Sequence, residues 1–330
     1  MRTKYLSYKK ESGMTIIVTG GAGFIGCNFI KYWMGRHPKD WIVCVDKLTY
    51  AGRPENLADV INRQNFRLVK ADICDREAME GLFHEETPQA VVSFAAESHV
   101  DRSIKNPALF LRSNILGVSV LMDCCKKTGT HFHQISTDEV YGDLPLDGCE
   151  AFTESTSLHG PSPYAASKAS ADLLVLAYHR TYGLPVTITR CSNNYGPYQH
   201  PEKFIPLVIQ HALRNQPIPI HGDGKDVRDW IHVIDHCRAV ESVLLHGNDG
   251  EIYNVDGNCE VSNIDIIKKI LDILERPHRL ITFDKDRPGH DRRYAINTGK
   301  IEKELGWNAK VDFEKGLRKT VLWYVDLYRC

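Results

Sequence analysis

The densest chemistry in the chain lies at Ser136-Thr137-Asp138-Glu139-Val140-Tyr141-Gly142, directly after the apolar lead-in His133-Gln134-Ile135. A hydroxyl and two adjacent carboxyls stand where a strand should end, and a doubly wound sheet collects its chemistry at the carboxyl ends of its strands. Two neighbouring carboxyls in a partly desolvated cleft cannot both ionise freely, so one holds a proton near neutral pH while the other acts as a base. An acid beside a base is the equipment for removing water from a substrate. On these residues alone the opposing reading, Asp138 and Glu139 as solvent-facing turn residues, has equal standing.

A second pair sits downstream, where Pro163-Tyr164-Ala165-Ala166-Ser167-Lys168 opens a helix expected to run to about Tyr182. Tyrosine and lysine four apart share a helix face, so the ammonium is expected near the phenol, lowering its pKa toward working pH. Alone, such spacing marks no more than a surface pair. Joined to Thr137 and a cofactor loop, it makes a proton-relay set for oxidising an alcohol by hydride transfer.

That loop is Gly20-Gly21-Ala22-Gly23-Phe24-Ile25-Gly26, between the apolar strand Thr15 to Thr19 and an amphipathic helix through about Met34. Glycines at 20, 23 and 26 allow the tight turn, the approach of a pyrophosphate and close helix packing, with the helix N-terminus facing the phosphates. A second strand, Trp41 to Val45, delivers Asp46, where an acid should hold the adenosine ribose hydroxyls. A carboxylate there repels a 2′-phosphate, which favours NAD over NADP.

The elements that must position these groups alternate: a helix near Pro54 to Asn62, a strand Phe66 to Lys70, a helix Arg76 to Glu85, a strand Ala90 to Ala95, a long helix Asn106 to Lys127, and the strand before Thr137. This rhythm predicts an α/β protein, a Rossmann-type doubly wound parallel sheet with right-handed crossovers. Asp72 falls at a strand end, where it suits either an adenine amino group or a helix N-cap. The second half is richer in Asn, Gly, Pro and Tyr. It holds a helix from Phe204 to Arg214, an extended Pro217 to Gly222, a strand-helix pair after Arg228, and a cation-rich loop at Asp286 to Arg293. Arg228, Arg287 and His290 could clamp a diphosphate or be a solvated charge run. The expected organisation is a flexible extension or vector-derived leader at 1–13, a mainly NAD-binding Rossmann domain at 14–190, and a smaller substrate-binding lobe at 191–330, interleaved with it.

Composition bounds the function. The chain has 330 residues, 42% hydrophobic, and a net charge of −1 with acids and bases intermingled. Nothing suggests a nucleic-acid partner. Apolar runs such as Ile16 to Val18 and Val91 to Ala96 are too short for a bilayer, and no signal peptide is evident, so a cytoplasmic location is expected. The ten cysteines are scattered without a Cys-x-x-Cys pair, and the fifteen histidines show no ligand spacing; reduced structural thiols and no metal are expected.

Gly20-x-x-Gly23-x-x-Gly26, Asp46 and Tyr164-x-x-x-Lys168 together resemble the extended short-chain dehydrogenases/reductases. Val45 to Gly52, Ala95 to Ile104, Ser136 to Leu144, Cys191 to Pro197 and Asp286 to Tyr294 are similar to the nucleotide-sugar 4,6-dehydratases among them, and the likeness runs from Met14 to about Tyr324. The resemblance implies that Tyr164 takes the C4 hydroxyl proton as hydride passes to NAD, with Lys168 and Thr137 tuning it. Glu139 then removes the C5 proton, Asp138 protonates the departing C6 hydroxyl, and the product is a 4-keto-6-deoxy sugar nucleotide. Implied cofactor contacts are Gly20, Gly23, Phe24, Ile25, Gly26, Asp46, Lys47, Leu48, Thr49, Asp72, Ile73, Phe94, Ala95, Ala96, Ser98, Ser113, Tyr164, Lys168 and Asn194. Implied substrate contacts are Ser98, Asn193, Lys203, Phe204, Pro219, Ile220, His221, Arg228, Asn254, Arg287 and His290.

The resemblance also implies a nucleoside diphosphate sugar substrate, dTDP-glucose before UDP-glucose or another hexose nucleotide, and a homodimer formed through helices around Ala108 to Lys127 and Tyr164 to Tyr182. Two departures bear on the substrate: His221 stands where an aromatic ring often meets the base, and the insert Leu146 to Ser162 is short. The rival readings are a sugar-nucleotide 4-epimerase, which needs no acid pair, and a non-catalytic NAD-binding regulator, which needs no Thr137, Tyr164 or Lys168.

Overall fold

The computed structural model describes residues 13–285 and 292–329. Arg287 and His290 lie outside the described residues, as do residues 1–12 of the expected extension.

The run Ile16-Ile17-Val18 is fully buried, as a strand covered on both faces must be. It forms β1 (Thr15–Thr19), and the Gly20 turn leads into α1 (Phe24–Arg36) and back to β2 (Trp41–Asp46). The crossovers continue through β3 (Phe66–Lys70), α2 (Arg76–Glu86) and β4 (Ala90–Ser93), then α3 (Val100–Lys105), α4 (Pro107–Phe110) and α5 (Gly117–Thr128) to β5 (His131–Thr137). Next come α6 (Pro163–Tyr182), β6 (Val186–Cys191), β7 (Asn193–Tyr195), α7 (Phe204–Leu213), β8 (Ile218–His221), β9 (Val227–His232), α8 (Val233–His246) and β10 (Glu251–Val255). The chain ends with β11 (Glu260–Ser262), α9 (Asn263–Ile273), β12 (Ile281–Asp284), α10 (Gly299–Leu305) and α11 (Phe313–Arg329).

Seven strands form one parallel sheet in the order β10-β6-β5-β4-β1-β2-β3. The order reverses between β1 and β4, which opens a crevice at their carboxyl ends. One core cluster joins α1 and α8 to the sheet through Phe29, Trp33 and Val240; the other face is covered by α2, α5 and α6 through Phe83, Leu121 and Val175. The second half thus adds β10 and α8 to the main sheet, while β11-β9-β7 and the β12-β8 pair form small sheets of their own. A separate core, with Ile209, Ile267 and Leu317, underlies them.

Three expected elements differ. Pro54 opens a single 3-10 turn, Pro54–Leu57, instead of a helix to Asn62, and the Asn56 amide is spent on the Ala22 carbonyl at 2.9 Å, fastening this loop to the glycine turn. The fourth strand stops at Ser93, leaving Phe94 to Ser98 as an irregular floor to the crevice. The long helix is preceded by a separate α3, because the residue before Pro107 cannot stay helical and Asn106 takes φ −144°, ψ 74°. From Pro107 the helical stretch runs to Thr128 through a wider π-type turn at Leu111–Leu116. By length and composition alone it could cross a bilayer, contrary to the reading of short apolar runs, but half of its apolar window is buried inside the protein.

Candidate active site

Strand β5 is buried along its whole length, and its end sets the acid pair. Thr137 is extended and caps the one-turn helix Asp138–Val140. Its Oγ1 accepts the Glu139 N–H at 3.3 Å and donates to Asp138 Oδ1 at 3.2 Å. Asp138 is therefore turned inward, 2% exposed, with Oδ2 buried and unpartnered. Glu139 stays partly open, on the wall of the crevice.

A buried network beneath this turn holds it. Ser136 Oγ and Arg190 Nε both donate to Asp172 Oδ2 at 2.9 Å. Arg190 Nη1 donates to the Tyr141 oxygen at 3.0 Å, and Tyr141 donates to Asn254 Oδ1 at 2.7 Å. Asp172 lies one turn beyond Lys168 on α6, so the same network ties the turn to the helix that carries Tyr164 and Lys168. That helix begins where Ser162 Oγ accepts the Ala165 N–H at 3.1 Å and Pro163 follows, and it stops at Gly183 in the left-handed region.

Asp138 carries the shift that an acid requires. Burial, and then the neighbouring Glu139 carboxylate, push Asp138 up to about 8. Asp138 is thus protonated at neutral pH and able to donate. The expectation for Tyr164 needs correction. Burial, followed by Glu139, pushes the phenol well above its ordinary value, while its hydrogen bond with Thr137 favours the phenolate. Lys168 donates to the Ile135 carbonyl and is itself pulled down by burial. A desolvated ammonium occupied by a carbonyl does not discharge the phenol unaided. The missing charge fits the positive nicotinamide ring of NAD⁺.

The crevice is a cavity of about 530 Å³ that runs from the glycine turn to Tyr164, within the usual size for a cofactor site. Gly20, Gly23, Phe24, Ile25, Gly26, Asp46, Lys47, Thr49, Asp72, Ile73, Phe94, Ala95, Ala96, Ser98, Ser113 and Asn194 all line it, as do Thr137, Asp138, Glu139, Tyr164 and Lys168. Gly20 has φ +68°, and a Cβ there would stand 2.6 Å from the Ala95 nitrogen, so the turn admits no side chain. Gly23 caps α1 without a side-chain acceptor, leaving the first-turn N–H groups for phosphate oxygens. Asp46 accepts from Ala22 N at 3.0 Å and Leu48 N at 2.8 Å, which fixes its carboxylate at the ribose end. These features fit NAD.

Several expected contacts fall elsewhere. Leu48 has φ 55° and packs its side chain on the core, so it serves the site through its backbone. Asp72 is not the cap of α2; Asp75 Oδ1 accepts the Ala78 N–H instead, and Asp72 pairs with Lys47 at 2.8 Å. Asn254 is fully buried, accepting from Tyr141 and donating one amide N–H to the Phe152 carbonyl at 3.1 Å, and it does not line the crevice. On β8 the alternation of faces turns Ile218 and Ile220 into the core and leaves Pro219 and His221 outside, which removes Ile220 from a base pocket.

Asn193 and Lys203 do line the cavity beside Ser98, whose carbonyl accepts from Lys203 Nζ at 2.9 Å. Phe204 stands next to them, stacked near Trp230. Arg228 lies on β9 over the Tyr294 ring, 4.6 Å from its centroid, and its charge acts on Asp138.

The sequence reading missed two supports. Asn114, in the π-type turn, accepts from Glu97 N at 2.9 Å and donates to the Glu97 carbonyl at 3.0 Å and Ser167 Oγ at 2.9 Å, locking the crevice floor to α6. An Asn inside an apolar helical run was its only signal. Across the cavity mouth Arg102 pairs with Glu202 at 2.8 Å and lies 3.6 Å from the Tyr50 ring centroid. Nothing local in the sequence joins residues so far apart.

A glycine turn at the switch point, a tyrosine and lysine on the flanking helix and a carboxyl pair at the next strand end define an NAD-dependent epimerase or dehydratase of nucleotide sugars. The chain belongs to the GDP-mannose 4,6 dehydratase family, whose model matches residues 17–320. It is 49% identical to the dTDP-glucose 4,6-dehydratase of Haemophilus influenzae over 94% of this chain and 98% of that protein. Its structure is similar, with a TM-score of 0.92 and 45% identity over 95% of this chain and 97% of the other, to a dTDP-glucose 4,6-dehydratase from Streptomyces venezuelae solved with NAD bound. The UDP-glucose 4-epimerase of Thermotoga maritima shares the fold at a TM-score of 0.88 and 30% identity, covering 96% of this chain and 100% of that one.

Proposed function

We infer that the chain is an NAD-dependent hydro-lyase that converts dTDP-glucose to dTDP-4-keto-6-deoxyglucose. The observation that carries the reading is Asp138, buried and held protonated beside the more open Glu139 at the end of β5. An epimerase needs only the tyrosine, the lysine and the cofactor.

Bound NAD⁺ supplies the acceptor for hydride from C4 and afterwards returns that hydride to C6. Tyr164 takes the proton of the C4 hydroxyl, with Thr137 hydrogen-bonded to its oxygen. The new 4-keto group acidifies C5–H, and Glu139, facing the cavity, removes that proton. Asp138 donates its proton to the C6 oxygen, which leaves as water. General acid and general base catalysis by such positioned groups typically contribute roughly 10²- to 10⁴-fold each. Burial of Asp138 keeps its proton available at neutral pH.

Asn193, Lys203 and Ser98 border the sugar end of the cavity. Arg228 supplies a cation for the diphosphate; Arg287 and His290, expected to share that task, lie outside the described residues. Pro219 and His221, on the outer face of β8, are the side of that strand offered to the base. An imidazole there stacks less area than a larger ring, so discrimination rests mainly on the thymine methyl, about 1 kcal/mol or somewhat more.

The oligomer is a dimer in this reading. Ile104, Leu111, Leu116, Leu173 and Tyr182 are each about half exposed or more, on α3, the stretch 111–128 and α6; a second copy of the same helices would cover them. Light scattering at working concentration should give twice the 37.4 kDa chain mass.

The test is incubation of the NAD-loaded protein with dTDP-glucose, UDP-glucose and GDP-mannose. The expected product is lighter by one water, with dTDP-glucose preferred over UDP-glucose roughly ten- to a hundredfold in kcat/KM. A product of unchanged mass, epimerised at C4, would refute the dehydratase reading.

A further inference from the structure

Resting on that reaction, the proton balance leaves the site out of register after each turnover. The C4 hydroxyl gives its proton to Tyr164. The C5 proton taken by Glu139 is returned to C5 when hydride reaches C6. The C6 oxygen leaves with the proton of Asp138. At the end of the cycle Tyr164 therefore carries one proton too many and Asp138 one too few, and neither can start the next cycle. Both groups are buried, Tyr164 at 8% exposure and Asp138 at 2%, so neither meets bulk water freely.

We propose that the Thr137 hydroxyl closes the cycle by relaying the proton from Tyr164 to Asp138. The geometry assigns each of its bonding positions. A threonine hydroxyl has one hydrogen to donate and two lone pairs. The hydrogen goes to Asp138 Oδ1 at 3.2 Å. One lone pair accepts the Glu139 N–H at 3.3 Å, which leaves the other open on the stretch of cavity wall that Thr137 shares with Tyr164, where Thr137 favours the Tyr164 phenolate. Thr137 thus stands between the cavity wall that carries Tyr164 and the Asp138 carboxylate it donates to, the order a proton shift requires.

In that shift the Tyr164 O–H bond breaks as a Thr137 O–H bond forms, and the original Thr137 O–H bond breaks as an Asp138 O–H bond forms. The products are a phenolate, an unchanged threonine and a protonated Asp138. Thr137 then donates to the phenolate, the bond that favours the ionised phenol. The Asp138 pocket receives the proton well, because burial and Glu139 disfavour its carboxylate, and the positive nicotinamide ring favours the phenolate left behind. Asp138 Oδ2 has no partner, so Oδ1 is the oxygen the relay serves.

Rapid-quench product formation in Thr137→Val and Thr137→Ser, both loaded with NAD, separates a relay from a shape effect. Valine keeps the volume and removes the hydroxyl. With dTDP-glucose in excess, Thr137→Val is expected to form about one product per site and then to slow by roughly a hundredfold or more relative to that first turnover, a loss within the range of one proton-transfer group. The slow phase should rise with the concentration of a small proton carrier such as imidazole, and Thr137→Ser should restore continuous turnover. A first turnover and steady state slowed to the same degree in Thr137→Val would overturn the relay and leave Thr137 as a positioning group. A slow phase indifferent to imidazole would overturn it also, pointing to product release. A wild-type protein that removes no water from any of these sugars overturns the dehydratase reading itself.

Discussion

Replacing Asp138 by Asn tests whether this carboxyl is the acid. Its ordinary value is 3.8, and burial with the adjacent Glu139 carries it to about 8 in the folded protein. A raised carboxyl pKa means that the folded state keeps a proton which the unfolded chain has released. The associated stability is complete below about pH 4, falls as pH rises, and is fully lost once pH passes about 8. Each pH unit in that window is worth ~1.4 kcal/mol. Asparagine occupies nearly the same volume, can still accept from Thr137 and never ionises. Between pH 5 and pH 7 the wild type should therefore lose about 3 kcal/mol of unfolding free energy relative to Asp138→Asn, an upper bound because the pocket can relax around the charge. Urea unfolding of the cofactor-loaded proteins at matched concentration across that range measures the difference, and titrations common to both cancel. The variant should also oxidise C4 and stall before water leaves. Parallel stability curves for the two proteins would refute the raised pKa, and with it the assignment of Asp138 as the acid.

Tyr164→Phe should cut the first oxidation by more than roughly a hundredfold while the NAD content stays unchanged, since the ring still packs and only the proton acceptor is lost; bound-cofactor assay and single-turnover absorbance check both halves. Glu139→Gln should accumulate reduced cofactor after mixing with dTDP-glucose, because C5 keeps its proton; an absent absorbance change together with weak sugar binding would make Glu139 a structural residue. Asp172→Ala should cost about 3–5 kcal/mol, because it strands the fully buried Arg190 guanidinium, and urea midpoints should fall accordingly.

The parts of the site legible in the chain were those made by neighbours in sequence. Gly20, Gly23 and Gly26 announce a turn that only small residues tolerate, and an apolar run before Thr137 announces a strand end. The expected helix from Pro163 to about Tyr182 matches α6, whose ends the structure shows capped by Ser162 and Gly183. The errors arose where several partners compete for one group. Asn254 is drawn beneath the site, where Tyr141 and Phe152 hold its side chain. Ile220 was lost from the base pocket because alternation on β8 could be phased only by the core beneath it. Of the two alternatives left open for Asp72, the helix cap went to Asp75, three residues later, and Asp72 pairs with Lys47 on the crevice wall.

By itself the sequence determined the parallel sheet, the phosphate turn, the preference for NAD and the pairing of an acid with a base. Each depends on local backbone limits, apolar periodicity or the charges of adjacent residues. The resemblance named Asp138 as the acid and Glu139 as the base, and the tertiary structure gives the two adjacent carboxyls different surroundings. The one-turn helix capped by Thr137 buries the first and leaves the second facing the cavity. The tertiary structure also decided that Lys168 alone does not discharge Tyr164, because the ammonium is desolvated and turned to the Ile135 carbonyl. Desolvation depends on everything packed around a group, and residues as distant as Asp172, Arg190 and Asn254 supply that packing.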